Sequence, residues 1–392
     1  MNARVALVSH TPFWMFDHGR ELSRRGWDVA LYTATPRRRI DPAVASRIHV
    51  KLGWATASHG LRRLARFGLY LPGGWYWAME RRARSEMTRW VGEQLEGVEV
   101  LDALSSWGAE LGPAAQRLGA RYVCNRGSAH ILAQRELLDD EFARWGCPPP
   151  DGFPGWLVDR ELREYAVADA IAVPSSFVRR TFLARGVPAA KLHRIPYGVD
   201  LSRFAPGPAS EGPFRVLFVG SASVRKGIGY LLEAVRPLVQ QGRVELWLVG
   251  AVSAEARPVL ARHGDIVTYK GFLGGAELAE AYRQGSVLVL PSIEEGLARV
   301  QAQAMASGLP VIATPNTGAE DLFDDGREGF IVPIRDAHAI RERIEWLLGR
   351  PAARRAMGEA ARRRVADRSG WAEYASGVER LYASLLGAGA AA

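Results

Sequence analysis

Residues 287–318, VLVLPSIEEGLARVQAQAMASGLPVIATPNTG, set an apolar run, an acidic turn, a helix-forming stretch and a second apolar run in immediate succession. The run VLVLP is apolar at every position and far too short to span a bilayer, which fits a parallel strand covered on both faces. Residues 297–307 are mostly good helix formers, Gly308 suits a C-terminal cap, and Pro310 begins PVIAT, another β-rich run. Strand, crossover helix and strand make one βαβ unit. That unit commits the chain to a parallel sheet with helices on its faces.

The alternation repeats along the chain. In the first half, strand-like runs stand at VALVSH, DVALYTA, RIHVKL, VEVLDAL, RYVCNR, AIAVPSS and HRIPYG; in the second, VLFVG, VELWLVG, IVTYKG and FIVPI join the two runs above. A Pro/Gly/Ser linker near residues 205–213 divides them, so two doubly wound units are expected, residues 1–205 and 206–365. Residues 366–392 form a further helical region. A chain of 392 residues, 48% hydrophobic and 24% charged, is long enough to give each unit its own core. Cys124 and Cys147 make neither a metal set nor a disulfide framework and read as core thiols in a reducing compartment. MNARVALVSH enters a strand directly, without a signal-peptide core, and no window of about 18 apolar residues occurs. A cytoplasmic protein is expected.

In a βαβ unit, ligands bind at the carboxyl ends of the strands, where the free N–H groups of the next helix favour an anion. The turn around Gly296 is therefore a candidate phosphate site. Glu295 stands at its mouth and Gln303 lies eight residues on, about two helical turns away, so both can face one crevice and hold hydroxyl groups. No G-x-G-x-x-G opens the first βα turn, and no G-x-x-x-x-G-K-[ST] occurs; dehydrogenases and P-loop NTPases are disfavoured.

The stretch PSIEEGLARVQAQ resembles the nucleotide-sugar site of the retaining glycosyltransferases of the GT-B fold, the "group 1" or family 4-like glycosyltransferases, whose pattern is P-S-x-x-E-G-F-G with a second Glu eight residues after the first. Glu295 matches the first Glu. Gln303 takes the place of the second, which the resemblance assigns to the ribose hydroxyls. A neutral amide there gives up the charge-assisted part of the bond, roughly 1 kcal/mol. Leu297 and Ala298 replace Phe-Gly; Ala298 narrows the approach to a phosphate, and Arg299 adds a cation at the helix start. In FVGSASVRKGIGYLLEA the family's G-R-x-x-x-x-K-G places two cations on the diphosphate. Gly220 and Lys226 match, Ser221 replaces the Arg, and Arg225 or Arg299 is left to supply the second charge.

The resemblance implies two Rossmann-like, doubly wound parallel-sheet domains facing across a cleft, with the terminal helix, in SGWAEYASGVERLY, packing back on the first. It also implies transfer of a hexosyl-type sugar from a nucleoside diphosphate sugar, UDP- or GDP-linked, to an acceptor hydroxyl with retention. Lys226, Glu295 and His130, the last in the turn NRGSAHI, would be the catalytic set. The donor would be bound by Gly220, Ser221, Arg225, Gly296, Leu297, Ala298, Arg299 and Gln303, with Arg126 and Ser128 on the acceptor side and side chains near Phe272 reading the base. No metal and no cofactor are called for, since no D-x-D pair stands at a strand end and Asp324–Asp325 read as surface. Hydrolysis or epimerisation of the nucleotide sugar without an acceptor is an alternative on the same fold, and the departures at Ser221, Ala298 and Gln303 leave open a degenerate, non-catalytic partner subunit.

Charge is unevenly placed. Residues 37–89 hold twelve basic residues against three acidic ones, a difference of nine that equals the net charge of the whole chain. There LRRLARFGLYLPGGWYWAMERRARSEMTRW interleaves Arg62, Arg63, Arg66, Arg81, Arg82, Arg84 and Arg89 with Leu61, Leu64, Phe67, Leu71, Trp75, Trp77 and Trp90. Cations among aromatics suit an anionic membrane interface, so a peripheral contact with the inner face of the cell membrane is expected. No nucleic-acid module is visible. The acceptor class that follows is a glycan or lipid-linked glycan of the cell envelope.

Overall fold

The computed structural model describes residues 3–57, 73–147, 153–207, 212–368 and 370–389. All thirteen strand-like runs form strands. The first seven are β1 (Arg4–Val8), β2 (Asp28–Thr33), β3 (Arg47–Val50), β4 (Val100–Leu104), β5 (Arg121–Asn125), β6 (Ala170–Val173) and β7 (Leu192–Arg194), in the order β3-β2-β1-β4-β5-β6-β7. The other six are β8 (Arg215–Val219), β9 (Glu245–Val249), β10 (Val267–Gly271), β11 (Val287–Leu290), β12 (Val311–Ala313) and β13 (Gly329–Ile331), in the order β10-β9-β8-β11-β12-β13. Every pairing is parallel. Continuous apolar strands have two faces to hide, and β4, β6, β11 and β12 are buried along their whole length.

In each sheet the strand order reverses once, between β1 and β4 in the first and between β8 and β11 in the second. At such a point the connections leave to opposite sides and a crevice opens at the carboxyl ends. The two crevices face each other. Predicted strand ends ran past the pairing, as at Ser9-His10 after β1 and Pro291 after β11; these residues open the turns that lead to the space between the halves, which His10 itself lines.

Short polar side chains fix several of these turns. Ser175 caps the helix Ser176–Leu183, its Oγ accepting from Val178 N at 3.2 Å, and the same Oγ donates to the Gly296 carbonyl at 2.7 Å in the other half. Asp321 accepts from Ser176 N at 2.7 Å and Oγ at 2.8 Å and pairs with Arg194 at 2.5 Å. Arg335 reaches back to Glu141 at 2.6 Å and Asp140 at 2.7 Å. The halves are thus tied by polar contacts on several sides of the cleft.

The helix Trp371–Gly389 lies on the first half, against the helix Trp14–Arg24. Glu379 accepts from Arg25 at 2.6 Å and from Trp27 Nε1 at 2.9 Å. Tyr382 reaches into the core, donating to Asp102 Oδ2 at 2.7 Å, and its hydroxyl lies 3.4 Å from His18 Nε2. Burial pushes Asp102 up to about 7 and His18 down to about 3, so both are uncharged between those limits.

Candidate active site

The cleft between the halves has a volume of about 470 Å³. Its first wall comes from the loops after β1, β4 and β5, which carry His10, Ser105 and residues 125–128. Its second wall comes from the turn before the helix Ile228–Gln240, with Arg225 and Lys226, and from the turn and first helical residues after β11, Glu295 to Val300. Two distant parts of the chain, 225–226 and 295–303, therefore share one surface. The reason is that β8 and β11 are neighbours in the sheet.

Lys226 stands in that wall with its ammonium paired to Glu295 Oε1, to which Ser292 Oγ also donates at 3.3 Å. Burial alone would raise the Glu295 carboxyl; Lys226 and then Arg225 outweigh it and hold the group below its ordinary value. Arg225 lies alongside, its Nε donating to the Glu294 carbonyl at 3.0 Å and its Nη2 paired to Glu294 Oε2 at 2.9 Å. Gly296, Leu297, Ala298 and Arg299 line the cleft as the helix Arg299–Ala306 begins. Arg299 reaches toward Asp17 of the first half at 3.8 Å. Gln303 faces the same space, and Tyr282 donates to its Oε1 at 3.1 Å, which leaves the amide NH2 as the donor toward the cleft.

Other expected residues stand elsewhere. His130 does not border the cleft: its ring packs edge-on to Phe182 at 4.9 Å and tilted against Tyr165 at 5.0 Å, and its Nδ1 accepts from Leu132 N at 3.3 Å as the cap of the helix Ile131–Arg144. Burial and then Arg126 push it down to about 4. A neutral ring holding a helix end is a structural histidine, and the placement at a strand's carboxyl end was right for the turn but not for this side chain. Gly220 and Ser221 do not border the cleft either; Ser221 is exposed, and Gly220 lies beside the Lys226 side chain, which would stand 3.4 Å from a Cβ added there. Arg126 borders the cleft but spends its donors inward, on Glu161 at 2.6 Å, Ala129 O at 2.9 Å and Gln134 Oε1 at 2.7 Å. Ser128 lines the space without such ties.

Several cleft residues stand outside the two motifs of the second half. His10 packs on Trp107 at 4.9 Å, Trp14 on Tyr197 at 4.5 Å, and Trp14 Nε1 donates to Asn125 at 3.3 Å. The usable signals were the position of His10 just past the first strand and that of Asn125 at the head of the turn NRGSAHI. A second hollow lies beside the carboxyl ends of β9 and β10, bordered by Tyr269 and a largely exposed Phe272.

Residues 14–203 match the family described as Glycosyltransferase Family 4, and residues 213–350 match Glycosyl transferases group 1. A GDP-mannose-dependent alpha-mannosyltransferase of Mycobacterium tuberculosis is 33% identical over 275 residues, 66% of this chain and 67% of the relative. The chain belongs to the group 1 glycosyltransferases. Among solved structures, sucrose-phosphate synthase from Thermosynechococcus elongatus superposes with a TM-score of 0.75 at 22% identity, covering 99% of this chain and 100% of that one. Anabaena HepE in complex with UDP superposes with a TM-score of 0.71 at 15% identity, covering 98% and 100%. The fold is GT-B.

In this glycosyltransferase the basic segment is divided by the structure. Arg37–Arg39 form an exposed turn, and Trp75 is 70% exposed. Arg81, Arg82 and Arg89 line a groove with Trp54, Trp77 and Trp156 on the first half. Arg84, by contrast, is buried, paired to Glu80 at 2.5 Å and set between Trp107 and Trp156, and Trp90 packs on Tyr32. Leu61, Arg62, Arg63, Leu64, Arg66, Phe67 and Leu71 lie outside the described residues. Among the described residues no helix is long and apolar enough to cross a membrane.

Proposed function

We propose that the chain transfers a hexosyl-type sugar from a nucleoside diphosphate sugar to an acceptor hydroxyl, with retention and without a divalent metal. The observation that carries this reading is the convergence of Lys226, Arg225 and the start of the helix Arg299–Ala306 on one wall of the interdomain cleft. The leaving group of such a reaction is a diphosphate. The main catalytic task is to stabilise the charge that develops on it, and two cations beside a helix N-terminus are suited to that. Lys226 would exchange its bond to Glu295 for phosphate oxygen, freeing the carboxylate to accept from the donor sugar's hydroxyls. The Gln303 amide donates to a ribose hydroxyl from the same wall. The base would enter the hollow by Phe272, and the acceptor would approach over Ser128 and His10.

A mannosyltransferase among the relatives and a UDP complex among the structural neighbours make GDP- and UDP-sugars the donors to try first. A thermal-shift panel of both tests the reading, because a ligand that binds only the folded state raises the melting temperature with its affinity. One nucleotide class is expected to shift the transition; no shift with any would reject the donor site. The acceptor is read as an envelope glycan or glycolipid, reached through a peripheral contact of Arg37–Arg39 and Trp75 with anionic lipid. Co-sedimentation that is indifferent to anionic lipid would remove that contact from the scheme.

A further inference from the structure

Glu294 has no place in the motif around it, yet its carboxylate is fully buried. A buried carboxylate persists only where partners replace its water. Oε1 accepts from Ala129 N at 2.9 Å, Oε2 accepts from Gln134 Nε2 at 2.9 Å, and Oε2 also pairs with Arg225 Nη2 at 2.9 Å. Ala129 and Gln134 belong to the first half; Arg225 belongs to the cleft wall of the second. Gln134 in turn accepts from Arg126, which pairs with Glu161, so one polar chain runs from the cleft wall into the core of the first half.

Arg225 is held twice by this residue, through the Glu294 carbonyl at 3.0 Å and through its carboxylate. A guanidinium has five N–H donors in a fixed fork, and these two bonds leave the others for the cleft that Arg225 borders. Ser221, which stands where a second diphosphate cation is expected, is exposed and does not border the cleft. Resting on the donor reading above, we infer that Glu294 is a positioning residue: it aims Arg225 at the donor diphosphate as the replacement cation. Its Ala129 and Gln134 bonds make that aim depend on the two halves being closed.

The test is calorimetry with UDP, UMP, GDP and GMP on the full chain and three variants. Glu294→Gln keeps an acceptor for Ala129 N but cannot form the ion pair with Arg225. Arg225→Ala leaves the buried Glu294 carboxylate without its counter-charge, so the double variant, which removes both charges, carries the test, with the same tenfold fall expected, if a single variant does not fold. The ratio of diphosphate to monophosphate affinity is expected to fall about tenfold in each, the worth of one charged hydrogen bond. The double variant should lose no more than either alone, and monophosphate affinity should stay within about twofold. A ratio unchanged in any of the three that folds overturns the inference alone, as does an equal loss for monophosphate, which marks a merely structural role. If no nucleotide binds the unaltered chain, the donor reading fails and this inference with it.

Discussion

Lys226 and Glu295 neutralise each other in the cleft, and each is the other's competitor for the ligand. A diphosphate brings more charge to Lys226 than a single carboxylate does, so the ammonium has reason to move and little distance to cover. In the proposed reaction its worth would be greatest in the transition state, where the leaving oxygen gains charge. Lys226→Ala is accordingly expected to raise the barrier of the chemical step by about 2 to 4 kcal/mol, the cost of losing one preorganised oxyanion donor, and to lower kcat to match. Steady-state kinetics with the donor identified by the thermal-shift panel would check this, and full turnover would reject the assignment. At this scale the sequence spoke clearly where a residue type sits at a fixed offset from a strand end. Glu295, Gln303 and Lys226 are readable in that way. Glu294 was not, because nothing in EE distinguishes the carboxylate that faces the cleft from the one that turns toward the other half.

Turns decide how closely the two halves meet. Gly296 follows the acidic pair, and a Cβ built there would come within 1.8 Å of the Gly127 carbonyl oxygen across the interface. Backbone meets backbone at that point, and no side chain can give way. Gly296→Ala is expected to hold the halves apart by about an ångström and cut kcat roughly a hundredfold, the scale on which a misplaced reacting group is felt. Affinity for a nucleoside monophosphate, which draws on the second half, should change far less, while diphosphate affinity falls as the Glu294 bonds across the interface loosen; kinetics beside calorimetry would show the split. The helix after this turn spans Arg299–Ala306, somewhat shorter than residues 297–307, and ends before Gly308, whose φ of 78° is the left-handed conformation the cap requires. Its start was harder to read than its end, because Leu297 and Ala298 favour helix by composition but are drawn into the cleft turn by the Ala298 N bond to Thr317 O at 3.2 Å.

The terminal helix closes the molecule over a cluster that titrates. Asp102 keeps its proton in the folded chain up to about pH 7, against an ordinary 3.8, because burial penalises its anion. Folding therefore takes up a proton in that window. The contribution of Asp102 is fully present below about pH 3.8 and is lost as the pH rises through 7. His18 works the other way: neutral when folded down to about pH 3, it costs stability as the pH falls below its ordinary 6.5. Between these limits the two oppose each other, and the intact cluster, which Tyr374 and Tyr382 also face, is buffered. Asp102→Asn removes one side of the balance. Its stability relative to the unaltered chain is expected to fall as the pH drops from 7 to 4, on the order of 4 kcal/mol over the whole window by the energy of a pKa unit, read as a growing deficit in melting temperature. A difference that does not vary with pH would refute this.

By itself the sequence determined the number of strands, their parallel sense, the division into two sheets and the two turns of the second half that border the cleft. All of these follow from local causes: uninterrupted apolar runs, crossover lengths, and the residues that stop a helix. What only the tertiary structure decided is which face each polar side chain turns to. His130 and His10 both follow strands, but the first is sealed among Phe182 and Tyr165 while the second borders the cleft. The difference arises because the elements that surround each loop come from positions far along the chain. The Glu294 network and the Gly296 to Gly127 contact belong to the same class, since each is made between halves that no local pattern relates.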